Sequence, residues 1–353
     1  MQNVFSKTVT GLNLALSALI IAVVFYVSVF GVFSESYLRV GMLLVGGLLI
    51  LLTQMENPLV AVGKPLALVT AVLLGISVFQ YFRAAAEIET GLYFLTSTDI
   101  WLGTLGLIAV IELTRRSVGM VMASVAAFVL LYGAFGQYAP GFMRHAGMTS
   151  EELIQVLWYS FDGVFGRPMA TVVSTILIFI IFCAFLEFLT IDRVLVKLAL
   201  AATGRIRSGP AAAATIASGL FGTISGSAVA NVVGTGVITI PLIKKRGFKA
   251  HFAGAVEAAA SSGGQITPPI MGAVAFIMAD VTGEPYLTIC AAAAVPAILY
   301  YAGLFMSTSS AARDMDLDVS VQPKLSFVWR ELARIIAFMI SLTAIGVAVV
   351  GAS

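Results

Sequence analysis

Residues 209–222, GPAAAATIASGLFG, make an apolar arm that would be roughly 21 Å long as a helix at ~1.5 Å per residue, against ~30 Å of bilayer hydrocarbon. The arm is too short to cross. Arg205 and Arg207 precede it, and Lys244, Lys245 and Arg246 follow the second apolar arm, so both ends carry the charge that marks the same side of a membrane. The stretch reads as a re-entrant hairpin over residues 209–243, whose tip is Ser225-Gly226-Ser227. Non-helical backbone at membrane depth is tolerated only where protein buries it or it lines a polar cavity. The tip is therefore a candidate site.

The rest of the chain supplies the membrane context that this reading needs. Of 353 residues, 59% are hydrophobic and only 11% charged, far from the balance of a water-soluble domain. Residues 12–30 read as a retained first span, since no separate charged, apolar and small-residue cleavage pattern stands before them. Further spans are expected at 40–52, 65–82, a weaker one ending at Ile111, 118–138, 171–189, a broken segment at 250–281, 286–306 and 333–350. The expected fold is an all-α polytopic membrane protein of about nine membrane segments with one re-entrant helical hairpin and one broken helix. Cys183 and Cys290 lie in apolar segments and make no metal or disulfide framework, His145 and His251 are isolated, and no basic footprint for nucleic acid occurs.

With the N-terminus inside, sixteen of the twenty Lys and Arg residues fall on the inner side, and only Arg39, Arg83, Arg144 and Arg167 fall outside. Counting the hairpin as one full crossing would place the cluster at 244–249 outside, so the charge bias and the re-entrant reading support each other. The outer segment 139–168 carries a capping-box pair, Thr149 and Glu152, followed by Ile154, Leu157, Trp158, Phe161 and Phe165 at helical spacing. That pattern suits an amphipathic helix over 151–165, either lying in the interface or packing on the bundle, with docking of an external partner as its functional reading. Residues 307–334, with Asp314, Asp316 and Asp318, read as a connector.

Chemistry is expected where the hairpin tip meets the break. Pro268 and Pro269 lack N–H groups and clash with carbonyls four residues back, which predicts free carbonyls at Gly264 and Gln265, with Gly263 and Gly264 permitting unwound backbone. Ser225 and Ser227 hydroxyls and the Asn231 amide face this break, together with Thr267. Neutral oxygens suit a hard cation, so Na⁺ is expected at Ser225, Ser227, Asn231, Gly264 and Thr267. Broken helices of this kind expose carbonyls to a cation and N-termini to an anion. Small residues at 211–217 read as helix packing. Glu257 is a costly intramembrane carboxylate, either a coupling residue or a hydrogen-bond anchor on a neighbouring helix.

At SGSAVANVVGTGVITIPLIKKRGF, residues 225–248, and GAVEAAASSGGQITPPIMGAVAF, residues 254–276, the chain resembles the tripartite ATP-independent periplasmic (TRAP) transporters. More narrowly it looks like the fused membrane permease of the branch whose binding proteins are called TRAP-associated extracytoplasmic immunogenic proteins, and FDGVFG at 161–166 shares that likeness. The resemblance implies a small membrane domain over residues 1–140, an outer helix and linker over 141–169, and the first repeat of a large inverted-repeat transport domain over 170–353. It implies Na⁺-driven import of carboxylate-bearing small solutes across a bacterial inner membrane, with the N-terminus cytoplasmic, and, carried over to the matching positions, half of a solute site at Ser225, Gly226, Ser227, Asn231, Gln265, Thr267, Pro268 and Pro269. A periplasmic solute-binding protein would deliver the solute, and no resident cofactor beyond the coupling ion Na⁺ is expected. After Gly272 no second Ser-Gly-Ser tip or Pro-Pro break follows, so the expected chain is half of an inverted-repeat domain, either a fragment of a longer fused permease or one part of a split one, with the missing second-repeat permease half as its partner. Other readings are a stand-alone Na⁺/carboxylate carrier subunit, or a non-transporting truncated fragment of an interrupted permease gene. An enzyme is not expected, because no Ser/His/Asp, paired-carboxylate or His-rich arrangement occurs in the spans, and no catalytic residue is assigned.

Overall fold

The structure is a computed structural model that describes residues 2–56, 63–188, 191–203, 208–269 and 271–313, with Ala333. Apart from Ala333, the expected span at 333–350 lies outside the described residues, as do the acidic run at 314–318, Arg205 and Arg207. Within them the chain is helical and carries no strand. Among the described residues seven helices are long and apolar enough to cross a membrane: Val9–Phe30, Glu35–Gln54, Lys64–Thr90, Ser97–Ser117, Met120–Tyr138, Ala228–Lys245 and Tyr286–Arg313. The protein is an all-α polytopic membrane protein. It divides into two compact units, Met1–Ser174 and Thr175–Ser353.

The first unit contains α1 (Gln2–Phe30), α2 (Glu35–Glu56), α3 (Lys64–Thr90), α4 (Ser97–Ser117), α5 (Met120–Phe135), α6 (Ser150–Leu157) and α7 (Arg167–Thr171). Asp99, a charge that weakens α4 as a span on sequence, turns out to start it. Its carboxylate accepts from the Thr96 backbone N–H at 2.8 Å, the Thr96 hydroxyl at 2.6 Å and Gln80 Nε2 at 2.7 Å, a capping box at the helix end where negative charge is favourable. The other end of α4 closes with Arg115 and Arg116 both paired to Glu112.

The outer stripe of aromatic residues behaves differently from a long amphipathic helix. Thr149 and Glu152 do form the capping box, but α6 stops at Leu157 and the chain turns back, with Val164 N–H donating to the Leu157 carbonyl at 2.9 Å. Gly163 makes this turn possible, because a Cβ there would collide with the Leu157 backbone. Trp158, Tyr159 and Phe165 are fully buried with Tyr81, forming the core of the unit, and the indole of Trp158 occupies the space that Gly106 leaves open. Arg39 Nη1 donates to the Phe165 carbonyl at 2.8 Å and its guanidinium lies 4.7 Å from the Phe161 ring centroid. The segment packs on the bundle.

The second unit contains α8 (Leu177–Phe188), α9 (Ile191–Thr203), α10 (Gly209–Ser225), α11 (Ala228–Lys245), α12 (Ala250–Gly263), α13 (Ala273–Thr282) and α14 (Tyr286–Arg313). A π-helical turn at Val172–Ile176 precedes α8. Helix α10 is its centre, in contact with α9, α11, α12 and α14. Ala211, Ala212, Ala213, Ala214 and Ala217 have no exposed surface. Small side chains let four helices approach one axis, which is how association proceeds where lipid gives no hydrophobic drive between helices. Pro210 stands in the first turn of α10, and Gly226, left-handed at φ +60°, ends it and reverses the chain into α11.

Candidate functional site

The hairpin tip is built by local signals. Gly226 supplies the left-handed turn, and Ser227 caps α11 by accepting the Ala230 N–H at 3.3 Å. Ser225 is half-buried and Ser227 exposed, so their hydroxyl oxygens are available at the tip. The facing break is also where the sequence places it: α12 ends at Gly263, a single 3₁₀ turn covers Gly264–Ile266, and α13 begins at Ala273 behind Gly272. Tip and break touch. A Cβ on Gly226 would collide with the Met271 carbonyl oxygen, and one on Gly272 would lie 3.4 Å from the Gly226 carbonyl oxygen. Below this, Gly222 and Gly264 meet backbone to backbone, with a Cβ on Gly264 falling 2.6 Å from Gly222 Cα.

Three expectations about the break are corrected by its geometry. The carbonyls of Gly264 and Gln265 are not free: they accept from Thr267 N–H at 3.2 Å and Gly272 N–H at 2.8 Å, because the chain folds back on itself and supplies its own donors. Each keeps one lone pair for a ligand. Gly263 and Gly264 are not unwound. Both have helical dihedrals, and glycine is needed there for close approach, to Tyr300 and Tyr301 at Gly263 and to Gly222 at Gly264. Asn231 is fully buried and points away from the tip, donating from Nδ2 to the Ser218 carbonyl at 2.7 Å and accepting from the Thr235 hydroxyl at 3.2 Å. Thr267 is half-buried, its hydroxyl donating to the Gly263 carbonyl at 2.7 Å, while Gln265 and Pro269 are exposed and Pro268 half-buried beside them.

Two groups of supporting residues carry no signal that the sequence reading used. Four side chains of α14 hold the broken backbone: Tyr300 and Tyr301 donate to the Ala259 and Ala260 carbonyls at 2.7 and 2.8 Å, and Tyr286 and Cys290 to the Pro269 carbonyl at 2.8 and 3.5 Å. They satisfy carbonyls at the end of α12 and beyond it, the groups a helix end leaves without partners. The second group surrounds Glu257. Its carboxylate accepts from Ser218 at 2.8 Å, Thr235 at 2.5 Å, Ser261 at 3.3 Å and Thr239. Thr235 with Thr239, and Glu257 with Ser261, are each four residues apart, a spacing that puts each pair on one helix face and that the sequence does show.

Four helix ends meet in this region: the carbonyl ends of α10 and α12, and the N–H ends of α11 and α13. Such ends carry roughly half a unit of negative and positive charge respectively, so the arrangement can serve a cation and an anion together. Fold and site define a membrane transport protein built on discontinuous helices. Residues 105–353 match the family model described as "Tripartite ATP-independent periplasmic transporter, DctM component". The chain belongs to that family, whose members are transporter permease components rather than enzymes. It is also similar to uncharacterized protein YgiK of Salmonella typhimurium, 42% identical over 79 residues, which are 22% of this chain and 18% of that protein. Uncharacterized protein y4mL of Sinorhizobium fredii is 34% identical over 109 residues, 31% of this chain and 26% of that protein. The matched stretch thus spans under a third of either relative's length.

Proposed function

We propose that this permease component takes part in Na⁺-driven import of carboxylate-bearing small solutes delivered by a periplasmic binding protein. The observation that carries the reading is the meeting of tip and break, where Gly226 lies against Met271 and Gly272. Around that contact the Ser225 and Ser227 oxygens, the Thr267 hydroxyl and the second lone pair of the Gly264 carbonyl are the ligands we assign to Na⁺. The buried Asn231 amide supports the shape of the site from below. Solute carboxylate would be met by the N–H ends of α11 and α13, with Gly226, Gln265, Pro268 and Pro269 forming the adjoining wall. The bias of basic residues supports an inner-membrane topology with the N-terminus and the cluster at 244–249 in the cytoplasm. The outer segment around Glu151, Glu152 and Asp162, all exposed, is the surface we assign to the binding protein.

The test is a Na⁺ titration of solute uptake by the intact transporter carrying Ser227→Ala or Thr267→Ala. Each substitution removes one oxygen without adding bulk, so half-maximal uptake is expected at higher Na⁺ with expression unchanged. Titrations that superimpose on the parent would remove both residues from the cation site.

A further inference from the structure

Glu257 lies below the tip, and its surroundings are those of an anion awaiting a counter-ion. It has no exposed surface, and hydroxyls from three helices close on it: Ser218 from α10, Thr235 and Thr239 from α11, and Ser261 from its own α12. Among the described residues no ion pair involves it. Helix α10 carries no basic side chain, and among the described side chains Lys244 and Lys245 on α11, Lys249 and His251 at the start of α12, Arg313 on α14 and Lys197 midway along α9 are all exposed, whereas Glu257 is not. A carboxylate enclosed by neutral donors alone is costly in a membrane interior.

Three of the four hydroxyls, those of Ser218, Thr235 and Thr239, have somewhere else to send their protons. Thr235 Oγ1 is also 2.8 Å from the Asn231 carbonyl oxygen, Thr239 Oγ1 is 3.0 Å from the Thr235 carbonyl oxygen, and Ser218 Oγ is 3.0 Å from Thr235 Oγ1. A hydroxyl has one proton and two lone pairs. Turned toward these alternative acceptors, the protons leave Glu257 and the lone pairs face it, with no hydrogen bond lost to the threonines. Those three side chains then present only oxygen, and Ser261 offers its lone pairs beside them. We propose that Ser218, Thr235, Thr239, Glu257 and Ser261 form a buried binding site for a small monovalent cation, separate from the one assigned to the tip. One carboxylate calls for a single positive charge, an all-oxygen set calls for a hard ion, and oxygens that stand at hydrogen-bond distance must part to admit any ion, which favours a small one. Because its ligands come from both hairpin arms and from α12, an occupied site ties the hairpin to the first half of the broken helix.

The experiment is thermal unfolding of the purified chain in lipid nanodiscs, with NaCl replacing choline chloride at constant ionic strength and pH. Na⁺ is expected to raise Tm, a Ser225→Ala/Ser227→Ala double variant to keep a saturable rise, and Glu257→Gln added to that double variant to abolish it. Should Glu257→Gln not fold, Thr239→Val and Ser261→Ala, each lacking one oxygen, are expected to raise the half-saturating Na⁺ concentration about tenfold. The proposal is overturned if Na⁺ does no more than choline, if acid stabilises the chain and Na⁺ does not, or if the Glu257, Thr239 and Ser261 variants respond as the parent does. Loss of the response in the Ser225/Ser227 variant alone overturns this site and leaves the tip site standing. The readout is binding to the chain, so it holds whatever the transported solute.

Discussion

Replacing Gly264 by alanine places a methyl group where the hairpin and the broken helix touch. The new Cβ would lie 2.6 Å from Gly222 Cα and 3.4 Å from Asn231 Nδ2. The first neighbour is backbone, so no rotamer change relieves the overlap, and α10 and α12 must separate by about 1 Å to restore ordinary contact. Overpacking of a tight interior costs about 1–3 kcal/mol, and an unyielding neighbour puts this case at about 3. Gly264 has helical dihedrals, so alanine recovers about 1 kcal/mol of backbone propensity. The net loss is about 2 kcal/mol, or about 4–8 °C in Tm for a unit of this size. Gly254 on α12, with nothing within 4 Å of its added Cβ, is the control. Gly254→Ala is expected to raise Tm by about 2–4 °C, gaining propensity without the clash. Thermal unfolding of both variants in nanodiscs decides the matter: a Gly264→Ala chain as stable as Gly254→Ala would refute the backbone contact.

The cap of α6 should respond to pH. Its hydrogen bonds from Thr149 hold the Glu152 carboxyl below its ordinary value, so the cap strengthens the fold above the usual carboxylate range and fades as pH falls through the depressed value. The Tm difference between parent and Thr149→Ala is expected to be largest near neutral pH and to shrink in acid; a constant difference would contradict it. Tyr301→Phe removes the donor to the Ala260 carbonyl and is expected to cost about 1 kcal/mol, seen as a lower Tm. Amide exchange at Gly264 and Gln265 should quicken in the same variant, and unchanged exchange would show that the break holds itself.

The break and the tip were legible because each has a local cause. Pro268-Pro269 cannot continue a helix whatever surrounds them, and Gly226 between two serines is a turn at any depth. Asn231 was harder to place, since four residues from Ser227 put it on the tip's face in sequence. Its amide turns inward because the Ser218 carbonyl, thirteen residues back, is the stronger nearby acceptor in a buried helix pair. The Gly264 and Gln265 carbonyls looked free because proline removes two donors; that Thr267 and Gly272 would replace them depends on how the chain folds back, which spacing does not encode. The stripe from Ile154 to Phe165 had the right period for a helix, but Gly163 permits a turn, and burial of Trp158, Tyr159 and Phe165 with Tyr81 outweighs continued helix. Around Glu257 the acid was visible as an anomaly, while its four hydroxyl partners were four unremarkable residues until three helices brought them together.

The account rests on cation binding where the tip meets the break, and a single cysteine reads that contact directly. Gln265 is exposed, and its carbonyl already accepts from Gly272 beside the tip. In a variant carrying Gln265→Cys, with Cys183 and Cys290 replaced by alanine, the rate of alkylation by a maleimide is measured in Na⁺ and in choline at equal ionic strength. Ligation at Ser225, Ser227, Gly264 and Thr267 draws the tip onto the break, so Na⁺ is expected to slow the reaction in a saturable way, and Ser227→Ala to shift that saturation to higher Na⁺. Equal rates in Na⁺ and choline at every concentration would contradict the central claim.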